Sequence, residues 1–265
     1  MRLRVGDADV AEYLAEPDVD PLHGPRPYLH PVRTLGGVPV TDALPEDHRW
    51  HLGVSVAMQD VDGVNLWGGR TYVRDQGYTW LDDHGRIAHA EWLPGVDGGF
   101  AERLDWLSPA GELLLSEHRT VTAAAVPLGW ELSFAYTLTA ERQVVLGSPA
   151  TNGRPDGAGY GGFFWRAAPG DTATFTAGRD GEETVNGSAE PWVALTGPGP
   201  YTLVFRGLAG ADRWFVRARD YPGVCAALAF ERPLVVDPGA ALSRHLTVLV
   251  ADGVLTRAQI AAESR

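Results

Sequence analysis

Asp47-His48-Arg49-Trp50-His51 is the stretch of this chain whose residue types and spacing could do chemistry. His48 and His51 stand three positions apart, and an imidazole titrates near neutrality, which suits it to general acid or base work. Asp47 could orient one of the two rings. The same H-x-x-H pair could instead chelate a divalent metal, with Asp47 or Glu46 completing or orienting the set. Either use requires a tight turn, because residues three apart on a straight strand point to opposite faces. A metal site, a metal-free polar site and a set of structural turns are the three readings of this motif. No cofactor other than such a metal is expected.

The motif sits inside a wider segment, Arg26 to Arg70, that holds three of the eight histidines among aromatic and charged groups. Tyr28, His30 and Arg33 lie upstream on a short predicted strand. A guanidinium grips carboxylates or vicinal hydroxyls through its planar fork. Asn65, Trp67 and Arg70 follow as further candidate substrate contacts. Far along the chain, Glu117 lies in the apolar run LLLSEHRTV and shares a face with Arg119. It reads as half of a cross-strand ion pair, or as a second catalytic carboxyl whose pKa is raised by burial.

A second cluster begins in the glycine-rich stretch SPATNGRPDGAGYGG and runs into Phe163-Phe164-Trp165-Arg166. Glycines let backbone approach a ligand, and aromatic faces stack on sugar rings. Asn152, Tyr160, Trp165 and Arg166 are therefore candidate binding residues. Arg217, in Trp214-Phe215-Val216-Arg217, repeats the pairing of aromatic and arginine just before Asp220-Tyr221. Nine tryptophans exceed what a core alone usually needs and favour a small sugar or glycoside as partner.

The formal net charge of -12 repels phosphate backbones and anionic lipid heads, so neither nucleic acid nor a membrane surface is an expected partner. All 22 basic residues are arginine. Schiff-base lysine chemistry and a P-loop lysine are thereby excluded. The single Cys225 has apolar neighbours and reads as a buried structural thiol. The first residues contain no apolar run of signal-peptide length, and a cytoplasmic location is expected. No run reaches the ~18 apolar residues of a membrane span.

The elements that must position these groups are short and β-prone. Strands are predicted within Met1–Leu22, at Tyr28–Val32, in a brief piece between Leu35 and Pro45, and at Gly53–Gln59, Arg86–Leu93 and Phe100–Leu107. Leu113–Val126 and Trp130–Leu138 form a predicted hairpin, the second alternating Leu132, Phe134, Tyr136 and Leu138 with smaller or polar residues. More strands are predicted at Phe163–Arg166, Thr172–Thr176, Trp192–Leu195, Tyr201–Arg206, Trp214–Arg219, Ala226–Phe230 and Leu242–Val250. Thr256–Ser264 reads as a short C-terminal helix capped by Thr256. About fifteen strands and no interior linker predict an all-β fold, one domain over 1–265 built as a large two-sheet antiparallel β-sandwich.

The blocks RPYLHPV, PVT, PEDHRWHLG, DVDGVNLWGG, NGRPDGAGYGGFFWR and PWVA resemble the signature blocks of a soluble bacterial family of unknown function labelled "PmoA". The label borrows the name of a membrane methane monooxygenase subunit, a role that a chain without a membrane-spanning run does not support. The resemblance implies a galactose-mutarotase-like supersandwich that binds sugars in a concave sheet face and uses a histidine and a carboxylate for ring opening or glycoside cleavage. Mutarotases carry a catalytic histidine in an Asn-His-aromatic loop. The corresponding block here has Asn152, Tyr160 and Arg166 but no histidine, so the acid or base would come from His48 or His51.

Overall fold

The computed structural model describes residues 1–263. It contains twenty strands, one 3-10 turn and two short helices. Fifteen of the strands form two antiparallel sheets, the β-sandwich that the strand pattern predicts. In the first, seven strands lie in the order Arg2–Val5, Ala8–Leu14, Tyr28–Val32, Val54–Ala57, Gly162–Arg166, Gly223–Ala227 and Arg213–Arg217. In the second, eight strands run Ala173–Phe175, Trp192–Gly197, Tyr201–Arg206, Ala241–Asp252, Gly129–Thr139, Leu113–Val126, Gly99–Leu107 and Arg86–Trp92.

Alternation decides what lies between the sheets. Leu132, Phe134, Tyr136 and Leu138 are buried while their neighbours Glu131, Ser133, Ala135 and Thr137 are only half-buried. The seven-stranded sheet answers with Val54, Val56, Phe163, Trp165, Trp214 and Val216, all in the same buried cluster. The Phe134 and Phe163 rings meet edge to face at 5.2 Å, and those of Trp165 and Phe205 at 5.5 Å. Such contacts fix the sheets face to face.

Both sheets are also covered on the outside. The C-terminal helix, Arg257–Glu263, lays Ile260 over Trp192, Val204 and Leu249 of the eight-stranded sheet. Thr256 caps it as predicted, in a reciprocal box: Gln259 N donates to Thr256 Oγ1 at 3.3 Å and Thr256 N donates to Gln259 Oε1 at 2.9 Å. Its predicted last residue, Ser264, lies outside the described residues.

Some expectations shift. Leu35–Pro45 holds only isolated bridges, Arg33 to Pro39 and Ala43 to Leu52, because Gly36-Gly37 and the prolines interrupt pairing. The strand expected at Ala226–Phe230 is Gly223–Ala227. The short pairs Thr71–Val73 with Gly77–Thr79 and Val144–Gly147 with Leu234–Val236 were not anticipated, nor was the four-residue helix Glu182–Val185. No helix among the described residues is long and apolar enough to cross a membrane.

Candidate functional site

The outer face of the seven-stranded sheet carries the site. Two of its inner strands, Gly162–Arg166 and Gly223–Ala227, put Phe163 and Trp165, Val224 and Ala226 into the inter-sheet core, so the alternate residues Phe164, Arg166, Cys225 and Ala227 face outward. Ser55, Ala57, Cys225 and Ala227 are small, which leaves room for Trp67, Tyr160, Phe164 and Phe215 to pack over them in a second apolar cluster. Burial pushes the Cys225 thiol up to about 12, so it stays protonated and serves as packing.

Above this layer opens a cavity of about 600 Å³. Its walls come from five separated segments: Asp47 to His51, Trp67 to Arg70, Tyr78 and Trp80, Arg154 and Tyr160, and Phe215 to Tyr221. The sequence motif and the glycine-rich loop thus do meet.

The histidine motif turns as its chemistry requires. His48 N donates to Pro45 O at 3.1 Å and His51 N to His48 O at 2.9 Å, two successive tight turns closed by Leu44 N to His51 O at 2.9 Å. The rings of His48 and His51 come together, but they stack, with centroids 4.8 Å apart and planes 23° from parallel. Ring-nitrogen lone pairs lie in the ring planes, so stacked imidazoles do not converge on one ion. Among the described residues no group of three or more His, Cys, Asp and Glu is arranged to hold a metal. In this arrangement His48 and His51 do not converge on one ion.

The two rings have different roles open to them. His48 donates from Nδ1 to Asp47 Oδ2 at 2.8 Å, so that when the partly exposed ring is neutral Nε2 is its accepting nitrogen. Desolvation opposes the Asp47 charge, but the hydrogen bond and charge of His48 outweigh it and hold the carboxyl below its usual range. His51 is buried among Trp67, Phe164, Tyr221 and His48. Burial first, then the neighbouring His48, Arg166 and Arg26, drives its pKa well below 6.5. It accepts at Nδ1 from Arg166 Nη1 at 3.4 Å and is neutral.

That depression has a measurable consequence. His51 is uncharged in the fold yet takes up a proton in the unfolded chain below pH 6.5, so unfolding gains protons there and stability falls as pH drops. His30, also lowered by burial, acts with the same sign. Urea denaturation between pH 7.5 and 5 is expected to lose stability on acidification, and His51→Gln to flatten the slope by up to about 1.4 kcal/mol per pH unit. An unchanged slope in the variant would refute the assignment.

Trp67 is aimed by its own loop. Asn65 is fully buried; its Oδ1 accepts from Trp67 N at 3.0 Å and Gly68 N at 2.8 Å, and its Nδ2 donates to Thr71 Oγ1 at 2.9 Å. Asn65 is therefore a turn residue, not a ligand contact. Gly68 and Gly69 hold φ of +95° and +71°, and a Cβ on Gly69 would lie 2.6 Å from the Trp50 ring, so only glycine fits. Beneath them Arg26, with no exposure, donates to Ser55 Oγ and to the carbonyls of Gly24, Trp67 and Trp50.

Opposite, Gln59 Nε2 donates to Tyr160 Oη at 2.8 Å, and the Tyr160 and Tyr78 hydroxyls are 2.9 Å apart. Arg154 donates to Tyr78 Oη and stacks over its ring at 4.7 Å. Burial, then the neighbouring Tyr78, raises the Tyr160 phenol well above 10, so it stays protonated.

Of the residues singled out in the sequence, Asp47, His48, His51, Trp67, Arg70, Tyr160 and Arg217 line the cavity. Arg166 lies just behind them, 3.6 Å from Asp42 and stacked on Tyr221 at 5.1 Å. Others do not reach it. Trp165 points the other way, into the inter-sheet core, where Nε1 donates to Val40 O at 3.0 Å. Tyr28 and His30 alternate with core Leu29 but lie outside the lining, and His30 Nδ1 is 3.0 Å from Thr41 Oγ1. Arg33 borders a different groove with Arg2, Asp9 and Glu12. Asn152 donates to Asp60 Oδ2 at 2.9 Å instead.

Glu117 is the largest correction. It has no exposure, and both of its oxygens are occupied, Oε1 by Arg119 Nε at 2.7 Å and Oε2 by Trp106 Nε1 at 2.8 Å. Arg119 in turn donates to Tyr13 Oη at 2.9 Å, and Tyr13 donates to Glu102. Glu117 belongs to a buried polar cluster between the sheets and not to the cavity. The ion-pair reading holds, though the partner is two residues along the same strand.

Sequence reasoning passed over Tyr78, Trp80 and Arg154 and gave no role to Trp50, Asp220 or Tyr221. Two signals were available: the alternating aromatics of Gly77-Tyr78-Thr79-Trp80, and the charge inside Asn152-Gly153-Arg154.

The fold and this site define a β-sandwich whose sheet face bears an aromatic and arginine-lined cavity with an aspartate–histidine pair at its edge. The chain belongs to DUF6807, a family of unknown function, which matches it over residues 1–265. No curated protein matches it.

Proposed function

We propose that this chain is a carbohydrate-active enzyme that transfers a proton on a sugar or glycoside held in the sheet-face cavity. The observation that carries this reading is the Asp47–His48 hydrogen bond of 2.8 Å at the rim of an aromatic-walled cavity of about 600 Å³. A cavity of that size suits a small saccharide. Trp50, Trp67, Trp80, Tyr78 and Tyr221 offer ring faces and Arg70 and Arg217 offer forked donors. His48 Nε2 would remove or return the proton, with Asp47 holding the tautomer and bearing against the charge that forms. The resemblance to the "PmoA"-labelled family, and through it to galactose-mutarotase-like sandwiches, points the same way.

Saccharide screening by ligand-observed NMR, with product detection by mass spectrometry, tests the reading. Binding and turnover by wild type, with turnover lost in His48→Ala, is the expected result. Absence of binding by any saccharide would sink it. A non-catalytic sugar-binding module is the second reading, favoured by the 59% exposure of the Asp47 side chain, which leaves the pair wet. It predicts binding that His48→Ala does not touch and no turnover.

Trp80 separates ligand contact from packing, since it is 48% exposed. Trp80→Ala is expected to change stability by less than about 0.5 kcal/mol. Saccharide affinity should fall by about 0.5–1.5 kcal/mol, read by calorimetry. Unaltered affinity would remove Trp80 from the platform.

A further inference from the structure

We propose that the saccharide this cavity takes is an acidic one, carrying a carboxylate that Arg70 and Arg154 recognise with help from Arg217. The inference rests on the sugar reading above and adds the charge of the ligand. Its starting point is a contrast of sign. The whole chain carries a formal charge of -12, yet the cavity lining holds three arginines against Asp47 and Asp220. Of those two carboxylates, Asp47 is already engaged by His48.

The arginines are not there to satisfy protein anions. Among the described residues neither Arg70 nor Arg154 makes an ion pair. Arg70 lies over the Trp80 ring at 5.8 Å and Arg154 over the Tyr78 ring at 4.7 Å. Aromatic stacking holds a guanidinium plane and leaves donors free, all of them on Arg70 and those beyond the one given to Tyr78 Oη on Arg154. Arg217 lies over Phe215 at 4.3 Å and is only loosely paired, with Nη1 3.7 Å from Glu182 Oε1.

Further positive charge lies beneath the floor. Arg26 is fully buried with only neutral oxygens as partners, and Arg166, 4% exposed and 3.6 Å from Asp42, keeps a buried Nε with no hydrogen-bond partner. Guanidinium groups gathered around a partly desolvated space with few close counter-charges repel one another, and an incoming anion relieves that repulsion. The lining's excess of one positive charge matches a carboxylate better than a phosphate dianion. A planar carboxylate also fits the guanidinium fork.

Isothermal titration at low ionic strength tests this with glucuronate and galacturonate, their neutral parent hexoses, the hexose 6-phosphates and malonate. Wild type is compared with Arg70→Gln and with the Arg70→Gln/Arg154→Gln double variant, each checked for an unchanged melting temperature. Uronates are expected to bind about tenfold or more tighter than the parent hexoses, as a charge-assisted hydrogen bond to the ligand implies. The double variant should erase that preference, lowering uronate affinity at least about tenfold more than the affinity for neutral hexoses. Should it lose its fold, Arg70→Gln alone, at an exposed position, must still reduce the preference. Equal affinity for neutral hexoses, insensitive to both changes, overturns the acidic ligand and leaves the sugar reading standing. Tightest binding of the 6-phosphates overturns the carboxylate in the same way. If malonate binds as well as the uronates, or no saccharide binds, the sugar reading falls with it.

Discussion

Under the proposed function, His48→Ala is expected to lower saccharide turnover by about 10²–10⁴-fold, the range for losing a positioned general acid or base. Affinity should change little, because the aromatic walls and arginines remain. The ring is free to be replaced. His48 is partly exposed, and its ring contacts are stacking on His51, an edge-on contact with Trp50 and a tilted one with Tyr221, plus the single bond to Asp47, so the variant should fold. Asp47→Asn tests the same pair from the other side. An amide can donate to Nδ1 and move the proton to Nε2, which removes the base without removing the ring. Turnover measured at saturating substrate should therefore fall in both variants with KM nearly unchanged. A His48→Ala enzyme with wild-type turnover would transfer the chemistry elsewhere in the cavity.

Glu117→Ala should destabilise the protein by about 3–5 kcal/mol, because it strips the nearest counter-charge from a fully buried arginine. Desolvation works against the Arg119 charge, and Glu117, Tyr13 and Glu102 more than offset it, so the guanidinium stays charged and cannot escape by losing its proton. Its remaining carboxylate, Glu102, is 3.9 Å away and already shared with Tyr13 and His89. Arg119 Nη2 has no hydrogen-bond partner even before the change. Removing both charges, as Glu117→Leu/Arg119→Met, should recover most of the loss, since apolar pairs of similar volume often replace buried ion pairs without penalty. Urea denaturation checks the three proteins. A loss under about 1 kcal/mol in Glu117→Ala would refute the argument. Below its melting temperature Glu117→Gln should keep saccharide affinity and turnover, because the cluster lies between the sheets and away from the cavity.

The two experiments separate residues that look alike in sequence. Glu117 and Asp47 are both carboxylates one residue from a histidine, in Glu117-His118 and Asp47-His48. Only Asp47 bonds to its neighbour, because a tight turn brings the consecutive side chains together, whereas an extended strand sends Glu117 and His118 to opposite faces.

By itself the sequence determined the all-β class and most strand positions. Those properties are local: alternation over a strand, prolines and glycines at breaks, and a Thr256-Gln259 capping box all act over a few residues. It also marked the histidine motif and the loop ending at Tyr160 as separate clusters, through the density of aromatic and charged groups in each. Tertiary structure alone decided which face each side chain serves. Gly162–Arg166 is buried on both sides, so its burial carries no alternation, and the choice of Phe164 over Trp165 for the site depends on which sheet packs where. Likewise Glu117 belongs to the core only because Tyr13 and Glu102 arrive from other strands. The cavity itself gathers Trp80, Arg154 and Tyr221 from segments that share no sequence pattern, and the stacking of His48 on His51 turned a possible chelate into two imidazoles with separate tasks.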